Sequence, residues 1–185
     1  MVYVRLSEEA ERLVRKYLRT EKQKTYTFDF FLDEEKYIKW EDVEIGMEAW
    51  SEREFLVKKE DIEAYLEATG NKNLVFWEEQ IAPPMFLTTI AFWLVGDSFI
   101  GNWIKTPGAI NPGQKIEFYE PIRVGDVIRV KMRAHDKFIK RGKRYLTYYN
   151  EFVNQKGEIV AKWWGTLILP LSRSEEEHRI EGVRR

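Results

Sequence analysis

Cysteine is absent from this sequence, and only two histidines occur in its 185 residues. Without cysteine there is no disulfide framework, no thiolate nucleophile and no cysteine-based metal site, and a reducing, cytoplasmic location is the expectation. His135 and His178 are too few for an imidazole zinc site, so no metal is expected. Net charge is also nearly absent: 30 Lys and Arg against 31 Asp and Glu leave -1. Such a chain has no global field to draw nucleic acid or an anionic membrane surface. No run approaches the roughly 18 apolar residues of a membrane span, and the opening MVYVRLSEEAERLVRKYL lacks a secretory apolar region. What remains is rich in core-forming residues, 44% hydrophobic and 15% aromatic, which fits one folded domain with at most an appendage.

Periodicity divides the chain. Leu6, Ala10, Leu13, Val14 and Tyr17 recur at helical spacing behind Ser7, predicting an amphipathic helix packed on something. Thr25 to Trp40 has no clean period and is read as an irregular arm. Arg53 to Val57 suits a short strand, and Ile62, Tyr65, Leu66 and Ala68 make a helical stripe over Lys59 to Thr69, ending before Gly70. Pro83 and Pro84 open an almost wholly apolar segment to Ile100, which predicts a buried helix. A turn-rich loop, GNWIKTPGAINPGQK, separates that helix from the next segment. Asp126 to His135 then alternates apolar and charged residues, Tyr145 to Phe152 reads as a second strand and Ile159 to Leu169 as a third. Residues 1–42 form an N-terminal helix and arm, 43–170 the main domain and 171–185 a charged tail.

Four short segments in a fixed order carry a resemblance: IEAYLEATGNKN, IAPPMF, YEPIRVGDVIRV and NEFVNQKGEIVAKW. Together they resemble the MaoC-like hydratases and acyl dehydratases, in the branch whose central helix starts Ala-Pro-Pro. The resemblance implies an α+β hotdog fold, an antiparallel sheet wrapped around a long central helix, here with an extra N-terminal helix and arm. It implies an acyl thioester of coenzyme A or acyl carrier protein as ligand and no cofactor. Hotdog sheets commonly pair edge to edge, so the expected partner is a second copy or a second hotdog subunit.

The family's catalytic string is Gly-Asp-x-Asn-Pro-aliphatic-His. Laid on this chain, it places Asn71 where the Asp stands and Phe76 where the His stands, with Asn73 matching. Neither replacement can exchange a proton near neutral pH. The family's oxyanion-donor glycine falls on Pro84, which has no N–H. The resemblance therefore implies a subunit without the Asp/His pair, working with a catalytic homologue. A self-sufficient hydratase or thioesterase would need a relocated carboxylate, Glu78 or Glu79, with Asp97 a further candidate. A third possibility is a non-enzymatic scaffold in a thiolase-like or hydratase assembly. Asn71 and Asn73 could hydrogen-bond a thioester or merely shape the turn. Met85, Phe86, Phe92 and Trp93 could line an acyl tunnel or simply pack the core. The strand face of Arg129, Lys131 and Arg133, continued by Lys137, Lys140, Arg141, Lys143 and Arg144, could receive coenzyme A phosphates or be solvated charge.

Overall fold

The strict alternation around Ile128, Val130, Met132 and Ala134 places those four side chains on one buried face and Arg129, Arg133 and His135 on the other, in solvent. This run lies in the strand Val127–Lys140 of a computed structural model that describes residues 8–25, 39–95 and 108–170. In chain order the elements are helices α1 (Glu8–Arg15) and α2 (Glu21–Lys24), strands β1 (Glu48–Trp50) and β2 (Phe55–Leu56), helices α3 (Lys59–Thr69), α4 (Leu74–Glu78) and α5 (Leu87–Leu94), then strands β3 (Ile110–Phe118), β4 (Val127–Lys140), β5 (Lys143–Val153) and β6 (Ile159–Leu169). The antiparallel sheet runs β1-β4-β5-β6-β3, with β2 also paired to β4. Leu87, Ile90, Ala91 and Leu94 of α5 are buried in the core that the sheet encloses.

Turn chemistry fixes the meander. Arg141 and Gly142 both have positive φ, and Lys140 pairs with Lys143, so a two-residue turn of the mirror-image kind closes β4 onto β5 with matching twist. Between β5 and β6 the Asn154 carboxamide oxygen accepts from the backbone of Lys156 and Glu158. This second turn meets the Gly125–Asp126 turn that leads into β4. Gln155 Nε2 donates to Asp126 Oδ1 at 3.2 Å, and Gln155 Oε1 accepts from Val127 N at 2.9 Å.

Several expectations need correction. Helix α1 has no buried residue, and Leu13, Val14 and Tyr17 are exposed, so its apolar stripe does not pack against the described core. The turn-rich segment near Pro112 is partly strand: β3 begins at Ile110 and passes Pro112 and Gly113 through a register shift. An edge strand tolerates proline because an outward N–H has no partner to lose. The central helix starts as a 3₁₀ turn, Pro84–Phe86, before α5, and its expected continuation to Ile100 lies outside the described residues. Most of the arm, Asp97 and the tail with His178 also lie outside them.

One part of the core is polar. Asn150 on β5 is 1% exposed, and among the described residues neither amide atom has a hydrogen-bond partner. Its cross-strand neighbour Trp163 and nearby Tyr148 also carry unpartnered polar atoms. A buried amide without partners costs about 1–3 kcal/mol. Asn150→Val is therefore expected to stabilise the protein by about 1–2 kcal/mol, read as a raised urea midpoint at unchanged slope. Burial also pushes the Tyr148 phenol up to about 12. A raised folded-state value keeps the native phenol protonated where the unfolded one has ionised, so stability falls as pH rises from about 10 to about 12. Alkaline denaturation followed by circular dichroism should show a shallower slope in Tyr148→Phe, the remainder coming from the Tyr149 phenol, which burial and its hydrogen bond to Glu151 also raise.

Candidate functional site

The stretch after α3 is built by local hydrogen bonds. Gly70 ends the helix at φ +65°, and Asn71 N donates to Leu66 O at 2.9 Å, a left-handed C-cap. Asn71 Oδ1 accepts from Asn73 N at 2.9 Å, and Asn73 Oδ1 accepts from Val75 N at 3.1 Å, which caps α4. Both carboxamide oxygens serve the turn. Phe76 on α4 is partly buried against the core, and Trp77 Nε1 donates to Asn71 O at 3.1 Å. Asn73→Ala is expected to cost about 1 kcal/mol through loss of the cap, measurable by chemical denaturation. Glu78 ends α4 and Glu79 follows it, both exposed.

The start of the central helix divides the remaining candidates. Phe86 is fully buried, with edge-on contacts to Phe55 at 6.0 Å and Tyr65 at 5.5 Å between ring centroids. Met85 is 44% exposed and Phe92 49%, so neither is a core side chain. Phe92 and Trp93 instead face a cavity of about 400 Å³, with Phe55, Thr88 and Thr89 beside them. The cavity takes in Phe92 and Trp93, but Asn71, Asn73, Phe76, Met85 and Phe86 lie outside its lining. Its size lies within the usual small-molecule range. Asp61 and the N-terminal residues Leu18, Thr20, Lys22 and Gln23 complete the wall. The sequence reading missed that contribution entirely. Lys22 and Asp61 stand 39 residues apart, and no local spacing signals their meeting.

The basic strand face is largely engaged within the chain. Lys131 Nζ meets Glu48 Oε2 at 2.8 Å, and that hydrogen bond holds the Glu48 carboxyl below its ordinary range. Arg144 pairs with Glu41 at 2.8 Å, and Lys137 lies 4.7 Å above the Trp40 ring and donates to the Trp40 and Glu41 carbonyls. Lys140, Arg141 and Lys143 sit exposed at the hairpin tip. Among the described residues, no group of His, Asp and Glu is placed to hold a metal ion, and no helix is long and apolar enough to cross a membrane.

Comparison with known proteins decides the family. The model of the FAS1-like dehydratase domain region matches residues 44–163, well over half of the chain. The chain belongs to this family. Solved structures agree on the fold of this FAS1-like dehydratase-region protein, a MaoC-like hotdog. The unliganded R-hydratase PhaJ1 from Pseudomonas aeruginosa superposes with a TM-score of 0.59 at 20% identity, over 72% of this chain and 86% of that one. The C-terminally truncated HadBC (3R-hydroxyacyl-ACP dehydratase) complex from Mycobacterium tuberculosis gives 0.58 at 22%, over 67% and 96%. Protein af1124 from Archaeoglobus fulgidus gives 0.57 at 15%, over 88% and 94%. No curated protein matches the sequence. The family match begins at residue 44, so the N-terminal wall of the cavity lies outside it.

Proposed function

We propose that this MaoC-like hotdog protein is a cytoplasmic, acyl-thioester-binding subunit that lacks the proton-transferring pair and works beside a catalytic homologue. The observation that carries the reading is the state of the two motif positions. Asn71 spends its side-chain oxygen on the Asn73 N–H, and Phe76 is packed against the core. Hydration of an enoyl thioester requires one group to take a proton from water and another to deliver one to the carbon chain. Neither position can do either. The HadBC structure is a complex of a 3R-hydroxyacyl-ACP dehydratase, which makes a two-chain arrangement a reasonable setting for a subunit of this kind. The aromatic cavity beside Trp93 is the place for the acyl chain, carried on coenzyme A or acyl carrier protein. No cofactor is needed, because water addition to an activated double bond involves only proton movement. Glu78 at the end of α4 and Glu79 just after it are exposed and do not line that cavity, so nothing favours them as relocated bases.

The test is to purify the tagged protein from its own cells, identify its partners by native mass spectrometry and assay crotonyl-CoA hydration by the intact fraction and by the chain alone. A second hotdog chain in the active fraction, with activity lost on separation, supports the reading. Full turnover by the isolated chain overturns it.

A further inference from the structure

Residues 18–24 precede the family match, yet they are fastened to the domain by a buried ion pair. Lys22 Nζ meets Asp61 Oδ2 at 2.5 Å, with the two side chains only 17% and 5% exposed. The same ammonium lies 4.7 Å from the centre of the Phe55 ring. Asp61 is held from its own side as well, accepting the Lys58 N–H at 3.0 Å at the start of α3. Arg19 pairs with Glu67 further along α3. The segment itself is pre-shaped: Thr20 is 3% exposed and caps α2, while Gln23 Oε1 accepts from the Arg19 and Thr20 backbones.

A buried ion pair is poor evidence for stability, because desolvation offsets most of its attraction. Its consequence here is positional. It fixes Leu18, Thr20, Lys22 and Gln23 as one wall of the cavity whose other wall is Phe92 and Trp93. It also offsets the charge on that wall, leaving a mostly apolar surface, with Thr20, Gln23, Thr88 and Thr89 as its uncharged polar members, suited to the uncharged end of a ligand rather than to phosphates.

We propose that the segment 18–24 is the specificity wall of the acyl cavity, latched by Lys22 to Asp61, and that it sets which acyl chain the protein accepts. The inference rests on the acyl-thioester reading above. Two full-length variants, with any co-purifying partner retained, test it by calorimetric titration with butyryl, octanoyl and palmitoyl coenzyme A. Leu18→Trp, which fills the cavity from the N-terminal side, should weaken the longest chain bound by about tenfold or more and spare butyryl coenzyme A. Lys22→Met, which releases the latch, should shift the preference the other way, toward longer chains. Opposite shifts support the wall, and general damage to the fold would not produce them. If the unaltered protein binds acyl-CoA and both variants keep its chain-length profile, the wall is overturned while the acyl reading stands. If the unaltered protein binds none of the three, the acyl reading fails and the wall with it.

Discussion

Gly165→Ala is expected to destabilise the protein by about 3 kcal/mol or more, because a methyl group has no room where β6 passes beneath Tyr148. A Cβ built on Gly165 would lie 2.2 Å from both Cζ and the hydroxyl of Tyr148. Gly165 and Tyr148 are directly opposed across β5 and β6, and Tyr148 is 1% exposed, so the ring has little space to withdraw. The ring also neighbours Trp163 at 6.4 Å between centroids, and that contact would move with it. Tyr148→Leu on its own should cost something for the lost ring. The decisive quantity is the coupling. With Tyr148→Leu in place, adding Gly165→Ala should cost far less than it does alone, and a urea denaturation double-mutant cycle measures the difference. Additive penalties would show that the clash is relieved by another route.

The second large effect is catalytic. An Asn71→Asp, Phe76→His double variant, assayed alone on crotonyl-CoA, is expected to remain at least about a hundredfold slower than a family member with an intact site. The Asn71→Asp carboxylate could still accept the Asn73 N–H that Asn71 now accepts at 2.9 Å, which favours its charged form. Restoring proton carriers does not restore charge stabilisation, however. The oxyanion donor that the family resemblance calls for falls on Pro84, the first residue of the 3₁₀ turn, and proline has no N–H. Adding Pro84→Gly to the pair should therefore raise the rate, with the gain in kcat rather than in KM. Full activity in the double variant would mean that another group polarises the thioester.

Elements with strong local signals could be read from the chain. Lys59–Thr69 has both a helical stripe and a glycine stop, and its bounds emerge as expected. β4 and β6 alternate over most of their length, so their buried faces follow directly. Short or interrupted elements gave no such signal. β1 has three residues, α4 has five, and β3 contains Pro112 and Gly113 near its start. The site divides in the same way. Phe92 and Trp93 stand out as aromatics on an apolar helix, and the structure places both at the cavity. The role of Lys22 depends on a partner in another element, and that pairing exists only once the chain has folded.

The two edges of the sheet differ in a way that bears on where another chain would join it. On the β1 side the edge is broken, since the three residues of β1 and the two of β2 share β4 and are separated by a bend at Glu52 and Arg53. Among the described residues, the outer side of the nine-residue β3 has no neighbouring strand, and it carries exposed Ile110 and Phe118. Pairing is worth most along the longer, unbroken border, so a strand added beside β3 would gain more than one added beside the three residues of β1.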